Sequence, residues 1–331
     1  MTVAIKTEEL KRRGKDCSYM GKRKFIIDTD IGDDIDDAFA IYLAMKLKVD
    51  LIGITTVFKN TLERSKMVKK LLKLFGQGYD NVPVYTGYGQ TLDGSIKEFT
   101  HIVQYTPDLD LPEYVADNET PEQAIDFLIE SAQQYGEDLT IVAIGPFTNI
   151  AKAIQKAPSA FEKCKLVVMG GAFFKQFADW NVTCDVKAAD IVFRNIPQLE
   201  CIGADVTHTL NIGKENAERI LNYDGDNGAV KYIRELLALW TKSSGGATPW
   251  LHDPLAVHYA VNPSICEMKD VPIVVITDGW ARGLTLNVYE YKKARLNSLY
   301  DGFDYSKTSK VAFSVNREEM IGMFMKMLLM S

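Results

Sequence analysis

The stretch FIIDTDIGDDIDDAFA, residues 25–40, is the part of this chain that says most about its fold. An apolar run opens it, a segment with helical spacing closes it, and six aspartates lie between them within ten residues. These aspartates are Asp28, Asp30, Asp33, Asp34, Asp36 and Asp37. So many like charges in one turn oppose folding unless a cation or a strongly polar ligand occupies the site. The stretch therefore predicts a first strand whose carboxyl end carries a metal-centred active site.

Short apolar, β-branched runs alternate along the chain with segments of helical spacing, which is the order expected of βαβ units. The strand candidates are 25–27, 51–57, 82–85, 139–144, 166–169, 201–206 and 271–277. The helix candidates are 62–75, 122–134, 148–154, 186–195 and 229–240. No fixed-period repeat or long linker marks a domain boundary. We predict an α/β fold: a basic N-terminal extension, 1–24, and one catalytic domain, 25–331, with an open, largely parallel central sheet flanked by helices.

The composition of the whole chain limits the classes of partner. It has 331 residues, of which 47% are hydrophobic and 25% charged, so it can bury a large core. The net charge of -6 argues against nucleic acid as a partner, because phosphate binding favours a basic surplus. We find no signal-like or membrane-spanning apolar segment, which predicts a cytoplasmic protein with no membrane partner. Its five cysteines are widely spaced, without a Cys-x-x-Cys pair, so we expect reduced thiols.

Polar residues follow several of the predicted strands, at the sheet edge where α/β proteins bind their ligands. After the aspartate-rich turn come Lys59 and Asn60, residues 145–149, residues 170–171, residues 179–181, and His252 with Asp253. Each of these residues, taken alone, has a structural explanation. An acid of the turn, or Asn60, could cap the helix that follows it, and Asp253 before Pro254 is typical of a helix N-cap. Capping needs one or two acids, however, and the turn carries six. We therefore favour a ligand site.

Two other metal-dependent classes were weighed against the aspartate-rich turn. An EF-hand loop needs an acid at its fifth position and a helix before it, whereas Gly32 is fifth from Asp28 and a strand precedes. A magnesium-dependent phosphatase of the haloacid-dehalogenase type opens with an Asp-x-Asp pair, as Asp28 and Asp30 do. That class does not explain the continuation of acids to Asp37. It stays open as an alternative.

The turn from Asp28 to Ala40 resembles the signature of the inosine-uridine-preferring nucleoside hydrolases, the nucleoside N-ribohydrolases. Later blocks are similar to that family's successive motifs, in its order. They are 53–60, 143–151, 168–172, 178–181 and 252–256. The resemblance runs from about Phe25 to near Leu329. It implies hydrolysis of the N-glycosidic bond of a small-molecule ribonucleoside to ribose and free nucleobase, by a homo-oligomer that is a dimer or a tetramer.

The resemblance also implies a set of ligands for one Ca²⁺ ion. They are Asp30, Asp37, the main-chain carbonyl of Ile144, and Asp253. A flexible cage of carboxylate and carbonyl oxygens suits Ca²⁺ better than metals that prefer thiolates or strict octahedra. The position of Asp30 touches both the metal and the attacking water in the family. We therefore expect Asp30 to be the general base.

Further positions map onto the family's contacts with ribose and with the departing base. The expected ribose contacts are Asp36, Asn60, Asp179 and Asn181. His252 stands beside a metal ligand, and we expect it to be the acid for the leaving base, because imidazole titrates in the useful pH range. These assignments predict that ribonucleosides are strongly favoured over 2'-deoxyribonucleosides.

The chain departs from the family pattern at two of these positions. The turn between Gly32 and Asp36 is two residues longer than usual, and Asp179 stands where the family has glutamate. A loop motif of many members is not recognisable in residues 101–110. These departures leave one further alternative, a nucleoside- or ribose-binding homologue without turnover.

Overall fold

The computed structural model describes residues 23–96, 102–175, 177–289 and 307–330, and in these ranges ten strands form two sheets. The strands are β1 (Lys24–Thr29), β2 (Asp50–Thr56), β3 (Val84–Thr86), β4 (Leu139–Ala143), β5 (Lys165–Met169), β6 (Leu199–Ile202), β7 (Cys266–Val271), β8 (Ile273–Val275), β9 (Thr285–Asn287) and β10 (Ser309–Val315). Eight of them form the central sheet in the order β3-β2-β1-β4-β5-β6-β10-β7. All neighbours in it are parallel except the edge pair of β10 and β7, and β8 pairs with β9 in a separate ribbon.

Eleven α-helices connect the strands or flank the sheet within the described ranges. They are α1 (Asp36–Lys46), α2 (Thr61–Phe75), α3 (Pro121–Tyr135), α4 (Thr148–Lys156), α5 (Trp180–Cys184), α6 (Val186–Asn195), α7 (Ala204–Thr207), α8 (Gly213–Leu221), α9 (Gly228–Ser243), α10 (His252–Val261) and α11 (Arg317–Leu329). None of these helices has the length and apolarity that crossing a bilayer requires.

The register of the central strands brings their carboxyl ends to one place. Asp28 in β1 lies opposite Thr55 of β2 on one side and Ala143 of β4 on the other. Parallel sheets are covered on both faces, so Ile26 and Ile27 are both buried although they point to opposite faces. This is why the strand reads as a continuous apolar run. The turns that follow β1, β2 and β4 therefore share one edge of the sheet.

Helices α1 and α10 pack against each other, and both are apolar all round. Such helices are buried on every side rather than along one stripe. Residues 36–45 of α1 and 253–260 of α10 are accordingly all buried. Because the amino-terminal turns of both helices reach the same edge of the sheet, their first acidic residues are brought together.

The predicted α/β architecture, with one largely parallel sheet in a single domain, is confirmed, but two predicted strands were wrong in detail. The run 201–206 divides into the end of β6 and the helix α7, because Gly203 starts a new helix there. The run 271–277 is interrupted at Pro272, which has no N–H to donate, and residues 273–275 pair with β9 outside the central sheet. Residues 1–22 of the predicted basic extension lie outside the described residues.

Candidate active site

A cavity of about 520 Å³ opens at the carboxyl edge of the sheet, where the register brings the strand ends together. Seven aspartates line it, in agreement with the expectation that the acidic turn faces a ligand. They are Asp30, Asp33, Asp34, Asp36, Asp37, Asp179 and Asp253. The volume is within the range of small-molecule sites. The cavity is therefore acidic and large enough for a nucleoside-sized ligand.

Three of these carboxylates form a compact cluster that could hold a metal ion. Asp36, Asp37 and Asp253 each offer an oxygen, and these oxygens lie within 4.8 Å of one another. All three side chains are buried, and burial, followed by repulsion from the neighbouring aspartates, raises their pKa values well above the usual range. No lysine or arginine of the described residues makes an ion pair with them. A bound cation would remove the repulsion.

The acids of this cluster are not explained by helix capping. The N-cap of α1 is Ile35, which makes no side-chain capping bond, and α10 begins at His252 with Leu251 as its N-cap. Asp253 thus lies inside the first helical turn and is not the cap that its position before proline suggested. Acids in a first turn interact favourably with the helix dipole. That effect does not require three carboxylates in contact.

Asp30 lies in the same cavity but outside the three-carboxylate cluster. Burial raises its pKa to about 7, against an opposing contribution from Arg64. A Cβ placed on Gly145 would lie 2.8 Å from Oδ1 of Asp30, so this carboxylate packs on the loop that carries Ile144. Two predicted metal ligands, Asp37 and Asp253, thus lie together with Asp36, which was predicted to contact ribose. The third predicted carboxylate ligand, Asp30, lies in the same cavity but outside this cluster.

The carbonyl of Ile144 is held in place at the cavity wall by hydrogen bonds on both sides. The backbone N–H of Ile144 donates to the carbonyl of Asp28 at 2.8 Å. The side-chain Nδ2 of Asn181 donates to the Ile144 carbonyl at 2.8 Å and to the Met169 carbonyl at 3.1 Å. A carbonyl oxygen has a second lone pair, so this one retains an acceptor site for a ligand. Asn181 thus fixes a group predicted to bind the metal.

Asp179 lines the cavity and at the same time caps a short helix. Its Oδ1 accepts from the backbone N–H of Val182 at 3.2 Å, which makes it the N-cap of α5. Burial raises the pKa of Asp179, while hydrogen bonds from backbone N–H groups partly offset that rise. The shorter side chain at this position is therefore engaged in local structure through one oxygen. Its ribose contact stays a prediction.

Asn60 stands at the start of α2, at the N-cap position, and does not line the cavity. Its neighbour Lys59 does, with Nζ 3.5 Å from Oδ2 of Asp33. Phe58 and Lys59 have φ values of +69° and +56°, which are uncommon for residues other than glycine. Such backbone conformations cluster at functional sites. The structure thus brings Lys59 into the cavity lining, where the sequence had favoured Asn60.

Arg64 supports the longer acidic turn and was missed by the sequence analysis. Its side chain is fully buried, and Nη2 lies 2.9 Å from Oδ2 of Asp33. Nη1 donates to the carbonyls of Asp30 and, at 2.7 Å, of Ile31, while Nε donates to the carbonyl of Phe58 at 2.8 Å. Arginine side chains in helices are mostly exposed, so this contact could not be predicted from the sequence.

His252 lines the cavity beside Asp253, and its ring is fixed by a neighbouring hydroxyl. Nδ1 lies 2.6 Å from Oγ1 of Thr207, and the ring of His208 is 5.3 Å away, centroid to centroid, nearly edge-on. Burial, with a contribution from His208, lowers the pKa of His252 to about 3. The imidazole is therefore neutral near pH 7. The sequence analysis expected an imidazole that titrates near neutrality. Because the ring is neutral instead, any proton that His252 donates comes from the N–H of the neutral ring.

Aromatic rings border the cavity around His252 and at its rim. Phe177 stacks on His208 with centroids 5.2 Å apart, and Trp250 lies 6.2 Å from His252 with the ring planes inclined by 27°. The Trp180 side chain lines the cavity and is 61% exposed. Exposed aromatic faces of this size favour contact with planar ligands. The cavity lining thus includes an acidic end, defined here by Asp30, Asp36, Asp37 and Asp253, and an aromatic end, defined by Phe177, His208 and His252.

Comparison with known proteins identifies relatives along nearly the whole chain. The family model described as inosine-uridine preferring nucleoside hydrolase matches residues 25–322. Uridine nucleosidase 1 of Arabidopsis thaliana is 32% identical over 316 residues, which cover 90% of this chain and 91% of that protein. The inosine-uridine preferring nucleoside hydrolase of Leishmania major is 29% identical over 292 residues, or 82% of this chain and 90% of that one.

Solved structures agree with these relatives. A plant nucleoside hydrolase superposes with a TM-score of 0.78 at 28% identity, covering 94% of this chain and 100% of its own. A purine-preferring ribonucleoside hydrolase from Gardnerella vaginalis gives a TM-score of 0.72 at 30% identity, covering 92% of this chain and 98% of its own. The named substrates of the relatives thus include both a pyrimidine nucleoside and purine nucleosides.

Proposed function

Since the chain belongs to the inosine-uridine preferring nucleoside hydrolase family and so hydrolyses the N-glycosidic bond of ribonucleosides, we propose that its acidic cavity carries out this reaction with Asp30 as general base. The observation that carries the proposal is the cluster of Asp36, Asp37 and Asp253 beside Asp30, in which no lysine or arginine of the described residues makes an ion pair with the three clustered carboxylates. Such a cluster is suited to a divalent cation and to sugar hydroxyls. The reaction needs both activated water and a fixed ribose.

The cation proposed for this cluster is Ca²⁺. The residues that would hold it are Asp30, Asp37 and Asp253 with the carbonyl of Ile144, and the donor set fits because every one of these atoms is an oxygen. When bound, Ca²⁺ would neutralise the buried carboxylates, bind ribose hydroxyls and lower the pKa of a coordinated water. Asp36 lies close to Asp37 and Asp253, so its carboxylate would be within reach of a sugar held beside the cation.

Asp30 is suited to the role of base by its surroundings. Its carboxylate is buried against Gly145, next to the Ile144 loop, so it lies beside the place proposed for the cation and its water. A carboxylate held next to an activated water is positioned to remove a proton from that water. Asp30 takes one proton from the water as the water oxygen bonds to C1' of ribose.

Ribose is proposed to lie across the acidic end of the cavity. Asp36, Asp179 and Asn181 line the cavity and would bind its hydroxyls. Asn60, at the start of α2, lies outside the cavity lining, so its expected ribose contact is not part of this proposal. Asn181 has the clearest support, because its Nδ2 is already engaged with two carbonyls and its Oδ1 accepts from no described residue. A side chain held in this way is positioned before the ligand arrives.

The base is proposed to leave toward the aromatic end. As the C1'–N bond breaks, its electron pair moves to the base, and a hydrogen bond from His252 stabilises the negative charge that develops there. Over one turnover the water molecule supplies the new hydroxyl of ribose and the proton of the free base. The named relatives act on uridine, inosine and purine ribonucleosides, so we take both base classes as candidate substrates. A dimeric or tetrameric assembly stays a prediction from the resemblance, and a cytoplasmic location stays a prediction from the sequence.

A panel of uridine, cytidine, inosine, adenosine and guanosine, with Ca²⁺ present, tests this function. Released reducing sugar is measured, with inorganic phosphate release from nucleoside monophosphates as the comparison. We expect ribose and free base from at least one ribonucleoside, and a loss of more than about 100-fold in kcat for Asp30→Asn. Phosphate release without ribose would favour the phosphatase instead. Tight ribonucleoside binding without hydrolysis would favour a non-catalytic binding protein.

A further inference from the structure

Thr207 and His252 come from elements far apart in sequence and meet beside the cavity. Thr207 is the last residue of α7, which follows β6, and His252 is the first residue of α10. The threonine side chain is fully buried, and its Oγ1 lies 2.6 Å from Nδ1 of the imidazole. This is a short hydrogen bond.

The direction of this hydrogen bond follows from the partners that each atom has. Oγ1 of Thr207 contacts no other hydrogen-bonding group among the described residues, so its proton has Nδ1 as the available acceptor. Were Nδ1 to carry the proton instead, the buried hydroxyl would be left with no acceptor, which costs about 1–3 kcal/mol. Thr209 is a contrast in the same segment, because its hydroxyl donates to the carbonyl of Val206 at 2.7 Å.

We propose that Thr207 is a positioning residue for the hydrolysis, whose hydroxyl donates to Nδ1 of His252 and so holds the imidazole in the tautomer with its proton on Nε2. A neutral imidazole has one N–H, and a nitrogen that accepts a hydrogen bond cannot carry it. Nε2 is the nitrogen that remains for a ligand in the cavity that His252 lines. This proposal rests on the proposed function, because the departing nucleobase of that reaction is the group to which the Nε2–H would donate.

The consequence for the reaction concerns the departing base and not the attack of water. The base receives the electron pair of the C1'–N bond, and the Nε2–H group donates to it as that charge develops. In the other tautomer Nε2 would present a lone pair to the same atom and repel it. Loss of the threonine hydroxyl should therefore slow the hydrolysis of substrates with a poor leaving group. It should have a much smaller effect on substrates whose leaving group needs no hydrogen bond.

Three variants and two kinds of substrate test the proposal. Thr207→Val removes the hydroxyl at nearly constant shape, Thr207→Ser retains it, and Thr209→Val removes a hydroxyl that bonds only to a backbone carbonyl. The substrates are the best ribonucleoside and p-nitrophenyl β-D-riboside, whose phenolate leaves without a proton. For Thr207→Val we expect a loss of about 10- to 100-fold in kcat on the ribonucleoside, little change in KM, and a much smaller loss on the aryl riboside.

The serine variant should recover most of the loss, and Thr209→Val should behave like the wild type. Equal losses on both substrates, or no loss on either, would overturn the proposal. The tautomer can also be read directly from ¹⁵N chemical shifts of the Ca²⁺-loaded protein labelled at histidine, with His252→Asn to assign the signal. Protonated Nε2 is expected in the wild type, and a protonated Nδ1 would contradict the inference even if the protein hydrolyses nothing. Absence of ribose release from every ribonucleoside would instead contradict the proposed function.

Discussion

A carboxylate oxygen of Asp37, in the first turn of α1, lies within 4.8 Å of one from Asp253, in the first turn of α10. The two residues are more than 200 positions apart in the chain. They meet because α1 and α10 pack together along their apolar surfaces and start at the same edge of the sheet. The amino-terminal ends of both helices favour negative charge at this point. A bound cation would balance the charge of the carboxylates that meet there.

Asp253→Asn should have opposite effects on the metal-free and the Ca²⁺-loaded protein. It removes one of three mutually repelling buried acids, so we expect a higher Tm in chelator and a smaller gain in Tm on adding Ca²⁺. Turnover should fall by more than about 100-fold because a cation ligand is lost. Asp190→Asn, at an exposed ion pair on α6, is the matched control. Scanning calorimetry with and without Ca²⁺ decides the matter, and an unchanged Ca²⁺ effect in Asp253→Asn would contradict the assignment.

The stability of the metal-free protein should fall as pH rises from about 5 to 8. Burial raises the folded-state pKa values of Asp36, Asp37 and Asp253 above their unfolded values. The folded state therefore binds more protons than the unfolded state in this window, and stability declines with pH there. Ca²⁺ should stabilise more strongly at pH 8 than at pH 5, because protons no longer compete with it. Thermal unfolding in chelator at several pH values measures this, and a Tm that rises over this range would count against it.

Arg64→Met should destabilise the fold more than it disturbs substrate binding. The change leaves the carbonyls of Ile31 and Phe58 without their donor and Asp33 without its buried partner. We expect a loss of about 3 kcal/mol in the free energy of unfolding, since breaking a buried charge network costs about that much. Urea unfolding gives the value. Arg219→Met, at an exposed arginine that bonds to Asn216, should change it by less than about 0.5 kcal/mol.

Discrimination against 2'-deoxyribonucleosides should depend on the acidic end of the cavity. A buried site built to bind a hydroxyl disfavours a sugar without one, so kcat/KM for a 2'-deoxyribonucleoside should be at least about 100-fold lower. Asn181→Ala should reduce this ratio, because the variant loses the amide and frees the Ile144 carbonyl. Steady-state kinetics on the paired substrates measures the ratio. Asn216→Ala, at a half-buried asparagine outside the cavity lining, is the control. An unaltered ratio in Asn181→Ala would place the sugar elsewhere.

The sequence was sufficient for the parts of the site that follow from strand order. The run 139–144 predicted β4 to within one residue, and the run 25–27 predicted the middle of β1, which extends from Lys24 to Thr29. Five acids of the turn after the run 25–27 line the cavity with Asp253. The reason is that parallel strands place their carboxyl ends at one edge, so residues after separate strands converge without any knowledge of packing.

Other parts depended on tertiary contacts that leave little trace in sequence. Strand β7 was missed because it is an edge strand whose exposed Glu267, Lys269 and Asp270 obscure its apolar alternation. The bond between Thr207 and His252 joins two helices 45 residues apart, and neither neighbourhood signals it. The low pKa of His252 follows from burial of its ring, and this burial cannot be read from the sequence.

We propose that the buried aspartates hold a cation that glycosidic hydrolysis requires. The direct measurement is a titration of Ca²⁺ into chelator-treated protein, with bound metal and ribose release from the best ribonucleoside followed together. We expect negligible release without metal, and turnover that returns in proportion to the binding of one Ca²⁺ per chain. Asp37→Asn should weaken this binding. Full turnover by protein shown to be free of divalent metal, or Ca²⁺ binding that Asp37→Asn leaves intact, would contradict the proposal.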